Sequence, residues 1–139
     1  MDRHQTILAF MQHHKLAVIA TVNAHKRPEA AVVGYAVTEH FELIFDTLST
    51  SRKYQNITQE CQVAVVIGGE EEITVQYEGR AVPLAGPALA HYQPYYFQTY
   101  PEGRERQTWE GIVYIQVSPQ WIRYSDFTTT PPDIFEVTF

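Results

Sequence analysis

The sequence is poor in the residues that staple or metallate small proteins. One cysteine, Cys61, in 139 residues rules out an internal disulfide, so nothing demands an oxidising compartment. No apolar run approaches the ~20 residues that span a bilayer. Met1-Asp2-Arg3-His4-Gln5 has no basic stretch leading into an apolar core, so no secretory leader is expected. Positive charge is scarce: ten Lys and Arg against sixteen Asp and Glu give a net charge of -6. That balance argues against nucleic acid or an anionic membrane as partner unless the cations are concentrated locally. HExxH, GxSxG and GxGxxG motifs are missing, and the histidines are scattered apart from His13-His14, which would point to different helix faces, so no metal site is expected. Linkers, repeats and low-complexity tracts are missing too. What remains, 45% hydrophobic and 19% charged, suits one globular, cytoplasmic domain over residues 1–139.

The apolar pattern changes period along the chain. Ile7, Phe10, Met11 and His14 share a face at helical spacing. Residues 16–22 and 30–37 are apolar and β-branched, with a polar turn between them. Phe41, Leu43 and Phe45 then alternate with Glu42 and Asp46 in a third strand. A helix is expected over 50–60, with Ser49 or Thr50 as N-cap. Residues 62–67 form a fourth strand, Gly68-Gly69 and Glu70-Glu71-Glu72 a solvated turn, and 73–81 the cleanest period-two strand. Residues 86–100 read as weakly helical and interrupted by Pro94. The tyrosines there, Tyr92, Tyr95, Tyr96 and Tyr100, suit a core or dimer interface better than a ligand pocket. Residues 112–117 are a sixth strand, broken by Ser118-Pro119, and 121–124 extend the sheet. Short turns imply antiparallel pairing, and six or seven such strands with edge helices most economically close into a small barrel; an open α+β sheet is the rival.

The scarce positive charge is concentrated in Ser49-Thr50-Ser51-Arg52-Lys53, where a strand gives way to a helix. The first N–H groups of a helix lack intrahelical partners and point at any anion placed there. Hydroxyls add donors, and two cations add charge. On spacing alone, a capped helix with two solvated cations is the plainer reading. Cations in a first helical turn oppose the macrodipole, which favours a functional reason.

The wider stretch, Phe45 to Ile57, resembles the flavin-phosphate segment of the pyridoxamine 5′-phosphate oxidase-like family. Thr47, Ser51, Arg52, Lys53 and Ile57 match it in type and spacing. Residues 16–45 look like that family's opening hairpins, Tyr77-Glu78-Gly79-Arg80-Ala81 like its Gly-basic-Ala strand, and Val117-Ser118-Pro119 with Ile122-Arg123-Tyr124 like its closing strand. The resemblance covers roughly residues 5–126. It implies a mainly β fold, a six- to seven-stranded antiparallel split β-barrel of Greek-key type. It also implies FMN as cofactor, ahead of F420 or haem, bound at the interface of a homodimer. By position, Lys53, Arg52 and Ser51 would hold the phosphate, and Asp46 and Thr47 would lie beside the ribityl chain or ring. Ala31, Val32 and Val33 would run along the flavin, Thr74 would face the ring, and Trp109 would reach a flavin from the second subunit.

The sequence departs from the oxidases at informative places. Ala31 stands where they have a phosphate-binding arginine, Asp46 where they have a tyrosine, and Thr74 where they have a glutamine. No Arg or His follows Arg123, although the oxidases bind pyridoxal phosphate with such residues near their end. The expectation is an FMN-dependent oxidoreductase on a small-molecule substrate other than pyridoxamine phosphate, with no identified catalytic side chain. A non-catalytic flavin carrier or sensor, and a cofactor-free barrel serving as an interaction module, are the alternatives.

Overall fold

The computed structural model describes Met1–Phe139. Helix α1 (Arg3–His13) opens with a capping box: the Asp2 carboxylate accepts from the Gln5 N–H at 2.8 Å, and the Gln5 side chain accepts from the Asp2 N–H at 3.0 Å. Ile7 and Met11, one turn apart, are fully buried in the main core, while Phe10 packs against it.

Eight strands follow: β1 (Leu16–Val22), β2 (Pro28–Gly34), β3 (Ala36–Val37), β4 (Leu43–Leu48), β5 (Gln62–Gly68), β6 (Ile73–Pro83), β7 (Ile112–Asp126) and β8 (Asp133–Thr138). All pairings are antiparallel, in the order β2-β1-β5-β6-β7-β4-β3, with β8 added on β7. Strands β2 and β3 stand at opposite ends of this order yet are one stretch of chain, parted only by Tyr35. The sheet therefore closes on itself at that residue. Buried Tyr35 is held on both sides, its hydroxyl donating to the Met11 carbonyl at 2.6 Å and its N–H to the Lys15 carbonyl at 3.1 Å. The sequence reads 30–37 as unbroken because the apolar pattern runs through the bend.

The barrel interior is one cluster of 21 buried apolar residues, supplied by the inward positions of every long strand. Strand β4 faces two ways. Leu43 and Phe45 enter the barrel, while Ile44 joins Tyr96, Phe97 and Tyr114 in a second cluster outside the wall. That outer cluster seats helix α3 (Gly86–Thr99), which a 3-10 helix (Pro101–Thr108) follows. The tyrosines of 92–100 thus serve packing.

Four local expectations are corrected. Pro94 lies inside α3 without ending it. It and Ala90, whose carbonyl loses its partner, are both exposed, so water can take up the freed group, and buried Tyr96 and Phe97 hold the last turns. Ser118-Pro119 does not break β7; the register shifts between Glu78 and Gly79, and Gln120 is accommodated as a bulge. A Cβ on Gly79 would collide with the Ser118 carbonyl oxygen, so only glycine permits this approach. Helix α2 (Arg52–Gln59) starts later than expected, with Ser51 rather than Ser49 or Thr50 as N-cap. Strand β8 was not expected, although Phe135 and Val137 alternate inward there.

Candidate functional site

The junction of β4 and α2 is built in three steps. Strand periodicity turns Thr47 inward, where it is 7% exposed. The chain then leaves the sheet through a turn held by two backbone bonds. The Ser49 N–H donates to the Gly111 carbonyl at 2.7 Å and the Ser51 N–H to the Leu48 carbonyl at 2.9 Å. Gly111 has φ +78°, and a Cβ there would sit 2.9 Å from Ser49 Oγ. Finally Ser51 Oγ caps α2 by accepting from the Tyr54 N–H at 3.2 Å.

These steps assemble a relay of polar groups. Lys53 Nζ donates to Thr47 Oγ1 at 3.1 Å, and Thr47 Oγ1 donates to Ser51 Oγ at 3.1 Å. Lys53 is half-buried and makes no ion pair; the four ion pairs of the chain involve other residues. An ammonium has three donors, so at least one is free here. Burial pulls the Lys53 pKa below its ordinary value, partly countered by the negative charge of Asp46. A partly desolvated cation with spare donors is what an anion stabilises.

Arg52 borders the same seam but is already paired. Its side chain is 74% exposed, with Nε 3.3 Å from Glu29 Oε1. Glu29 projects from β2 opposite Thr21. Asn56 Nδ2 donates to Glu29 Oε1 at 2.9 Å and to Thr21 Oγ1 at 2.9 Å, and Asn23 Nδ2 donates to Glu29 Oε2 at 3.1 Å. The Asn56 bond, then the Asn23 bond, hold the Glu29 carboxyl below its ordinary pKa, with Arg52 contributing least and desolvation opposing. Lys53, Arg52, Glu29, Thr21, Ala30 and Ala31 surround a cleft of about 180 Å³ at this seam, with Ile19 at its base.

Asp46, next to Thr47, faces the other side of β4. Its Oδ2 accepts from Arg106 Nε at 2.7 Å and its Oδ1 from the Tyr96 hydroxyl at 3.0 Å; Arg106 also donates to that hydroxyl at 2.8 Å. Of the other residues expected at a cofactor, Ala31 lines the cleft, Val33 is buried in the barrel core, and Val32 is exposed on the outer surface. Thr74 is half-buried in β6 beside Gly69, and Trp109 is exposed on the turn before β7; neither lines the cleft. Sequence reasoning missed Glu29, Asn56 and Arg106. Glu29, between the expected turn and the expected strand, carried no signal, because its partners lie 6 to 27 residues away in the chain.

A second concavity, about 490 Å³, lies on the outer face of β1, β2 and β5. Val32, Val18 and Val66 are direct cross-strand neighbours there, all substantially exposed, with Leu16 beside them. His13, His14, Lys15, Glu70 and Glu71 also line it.

The family model described as pyridoxamine 5′-phosphate oxidase matches residues 4–126. The chain belongs to that family. No curated protein sequence matches it. Among solved structures, the fold is similar to a pyridoxamine 5′-phosphate oxidase-related, FMN binding protein from Nostoc punctiforme. That similarity has 12% identity and a TM-score of 0.74, over 100% of this chain and 97% of the other. It is also similar to General Stress Protein 26 from Bacillus anthracis, at 20% identity and a TM-score of 0.76, over 99% and 100% of the two chains. A heme binding protein from Mycobacterium smegmatis is similar at 15% identity and a TM-score of 0.80; 97% of this chain is covered, but it spans only 56% of the other. At these identities the structures speak for the oxidase-family fold alone. No helix of the chain is long and apolar enough to cross a membrane.

Proposed function

We propose that this chain is an FMN-binding oxidoreductase of the pyridoxamine 5′-phosphate oxidase family, acting on a small molecule other than pyridoxamine phosphate. The observation that carries the reading is Lys53: a half-buried cation with no ion pair, bonded into the Thr47–Ser51 relay and opening on a cleft. The donor set suits a phosphate monoester. Lys53 supplies charge, Ser51 and Thr47 supply hydroxyls, and the start of α2 supplies N–H groups. Arg52 borders the same cleft. FMN, when bound, supplies the hydride or electron chemistry, while the protein supplies binding and orientation. The backbone of β2 separates the cleft from the outer groove, so Ala31 meets the phosphate side and Val32 the groove side.

The same reading makes the protein a homodimer. The exposed Val18, Val32, Val66 and Leu16 surface is apolar and lies beside the strand expected to run along the flavin. A second copy would cover it, and Lys15, Glu70 and Glu71 in its lining supply charge of both signs for such pairing.

The test is the small molecule carried by purified protein. FMN gives an absorption band near ~450 nm, and apoprotein titrated with FMN should bind it stoichiometrically. Bleaching by NADH or NADPH then separates an oxidoreductase from a carrier. Colourless protein that takes up no FMN refutes the reading and leaves a cofactor-free interaction module.

Haem is a second reading with one observation in its favour. His14 lines the apolar groove, and its Nδ1 lies 3.0 Å from the Phe10 carbonyl oxygen, which can only accept, so in the neutral ring Nε2 is the nitrogen left to bind a metal. Haem titration distinguishes it, since loss of binding in His14→Ala but not in Lys53→Ala places the ligand in the groove.

A further inference from the structure

The second cation of the phosphate cleft is not free. Arg52, on the first turn of α2, is turned onto Glu29 across the seam. Glu29 is not a casual surface partner. Its side chain is 17% exposed, and amide donors occupy both of its oxygens: Asn56, itself buried, and Asn23. Asn56 is also fixed by Thr21, so the carboxylate is clamped from two sides while Arg52 is the exposed member of the pair. Glu29 also lines the cleft that Lys53 faces. A negative charge has therefore been built into the wall of a site otherwise suited to an anion.

We infer that Glu29 is a built-in counter-ion that holds Arg52 in an ion pair at the cleft wall and so sets the affinity and charge selectivity of the site. The inference rests on the cleft being the phosphate end of the FMN site. An incoming phosphate meets Lys53 and the hydroxyls, but it must either compete with Glu29 for Arg52 or bind without it. In both cases it sits beside an ionised carboxylate. The cost falls only on ligands bearing the phosphate. Riboflavin, which shares the ring and ribityl chain but has no phosphate, would not experience it. Glu29 thus acts through Arg52 and through its own charge, as a positioning residue rather than a catalytic one.

The experiment measures FMN and riboflavin dissociation constants of the full chain by flavin fluorescence quenching. The variants are Glu29→Gln, Glu29→Asp, Arg52→Gln and the Glu29→Gln/Arg52→Gln double variant. Glutamine keeps an acceptor for Asn56 and removes only the charge. The expected result is that Glu29→Gln binds FMN about tenfold tighter, the scale of removing one partly screened charge beside a phosphate, with riboflavin unchanged. Glu29→Asp stays at the wild-type value because the charge is retained. Arg52→Gln alone costs about threefold or less, since that arginine is already engaged, but abolishes most of the gain when combined with Glu29→Gln. Equal tightening of FMN and riboflavin by Glu29→Gln, no tightening at all, or the same gain with and without Arg52 overturns the inference. If Glu29→Gln does not fold by circular dichroism, Arg52→Gln carries the test. A loss of FMN affinity as large as that from Lys53→Ala would show Arg52 free to grip the phosphate and overturn the inference. Folded wild-type protein that binds neither FMN nor riboflavin refutes the FMN reading itself, a result distinct from all of these.

Discussion

Lys53 offers a test in which stability and binding move in different directions. Replacing it with methionine keeps an unbranched stem of similar length and removes the charge. In the free protein, the half-buried ammonium loses hydration, and burial lowers its pKa. A cation whose folded-state pKa lies below its unfolded value is bound less tightly to its proton in the folded state, so it works against folding while protonated, and that penalty fades as pH rises towards the ordinary lysine range. Methionine removes the penalty and one hydrogen bond, from Nζ to Thr47 Oγ1, worth about 0.5–1.5 kcal/mol. Thr47 keeps its bond to Ser51. The two effects are of opposite sign, so the free variant should melt within a few degrees of wild type, a net change of about 0.5 kcal/mol or less at neutral pH. FMN binding should fall by about 1.5–3 kcal/mol, the worth of a hydrogen bond to a charged group, which is roughly a 10- to 150-fold rise in the dissociation constant. Differential scanning calorimetry and fluorescence titration read the two quantities on the same sample. A large drop in melting temperature with unchanged FMN affinity would show that Lys53 is structural, and the reasoning would fail.

Other positions give independent checks. Gly79→Ala should destabilise the protein by about 1–3 kcal/mol in urea unfolding, because the new methyl collides with the Ser118 carbonyl at the bulge; a neutral result would mean the strands can separate there freely. Glu29 binds its proton more weakly folded than unfolded, so its contribution is present above about pH 4.5, the ordinary carboxyl value, and is lost as pH falls through the depressed folded value. Acid unfolding of Glu29→Gln should therefore be less steep below that pH than wild type, and identical acid limbs would exclude Glu29 as a contributor. The proposed homodimer predicts a dimeric wild type by light scattering and a monomeric Val66→Glu, on the exposed outer face, with an undiminished yield of folded protein; a monomeric wild type refutes the dimer, and a variant that remains dimeric moves the interface elsewhere.

The fold was legible where pattern is local. The apolar runs of 16–22 and 62–67 and the period-two run of 73–81 are strands, and Thr47, Ser51 and Lys53 meet because the strand-to-helix spacing fixes them in sequence. Features that depend on distant partners were hidden. Pro94 reads as a helix breaker, but packing of Tyr96 and Phe97 onto β4 and β7 overrides that preference. Ser118-Pro119 reads as a stop, but a glycine 40 residues earlier in the chain absorbs the irregularity. Arg52 and Lys53 look alike in sequence; only the fold reveals that one is paired and the other is not, because Glu29 reaches the seam from a different hairpin.

The substitutions at Ala31 and Asp46 would each seem to spoil an anion site, the first by removing a charge and the second by adding one of the wrong sign. Strand geometry separates the two cases. Successive residues of β4 project to opposite faces, so Thr47 turns inward to Ser51 and Lys53 while Asp46 is turned out towards α3 and the 3-10 helix. There its charge is met by Arg106 and by the Tyr96 hydroxyl, an ion pair only partly exposed on either side. What reaches Lys53 from Asp46 is a residual attraction that helps keep the lysine protonated despite its burial. The carboxylate thus supports the cation it appeared to oppose. Ala31 has no such compensation: it lines the cleft with a methyl group, and the nearest other cation, Arg52, is engaged by Glu29. Lys53 is left as the one unpaired charge at the seam, so the phosphate affinity of this chain should depend on that single side chain more steeply than in a relative that keeps an arginine at the position of Ala31.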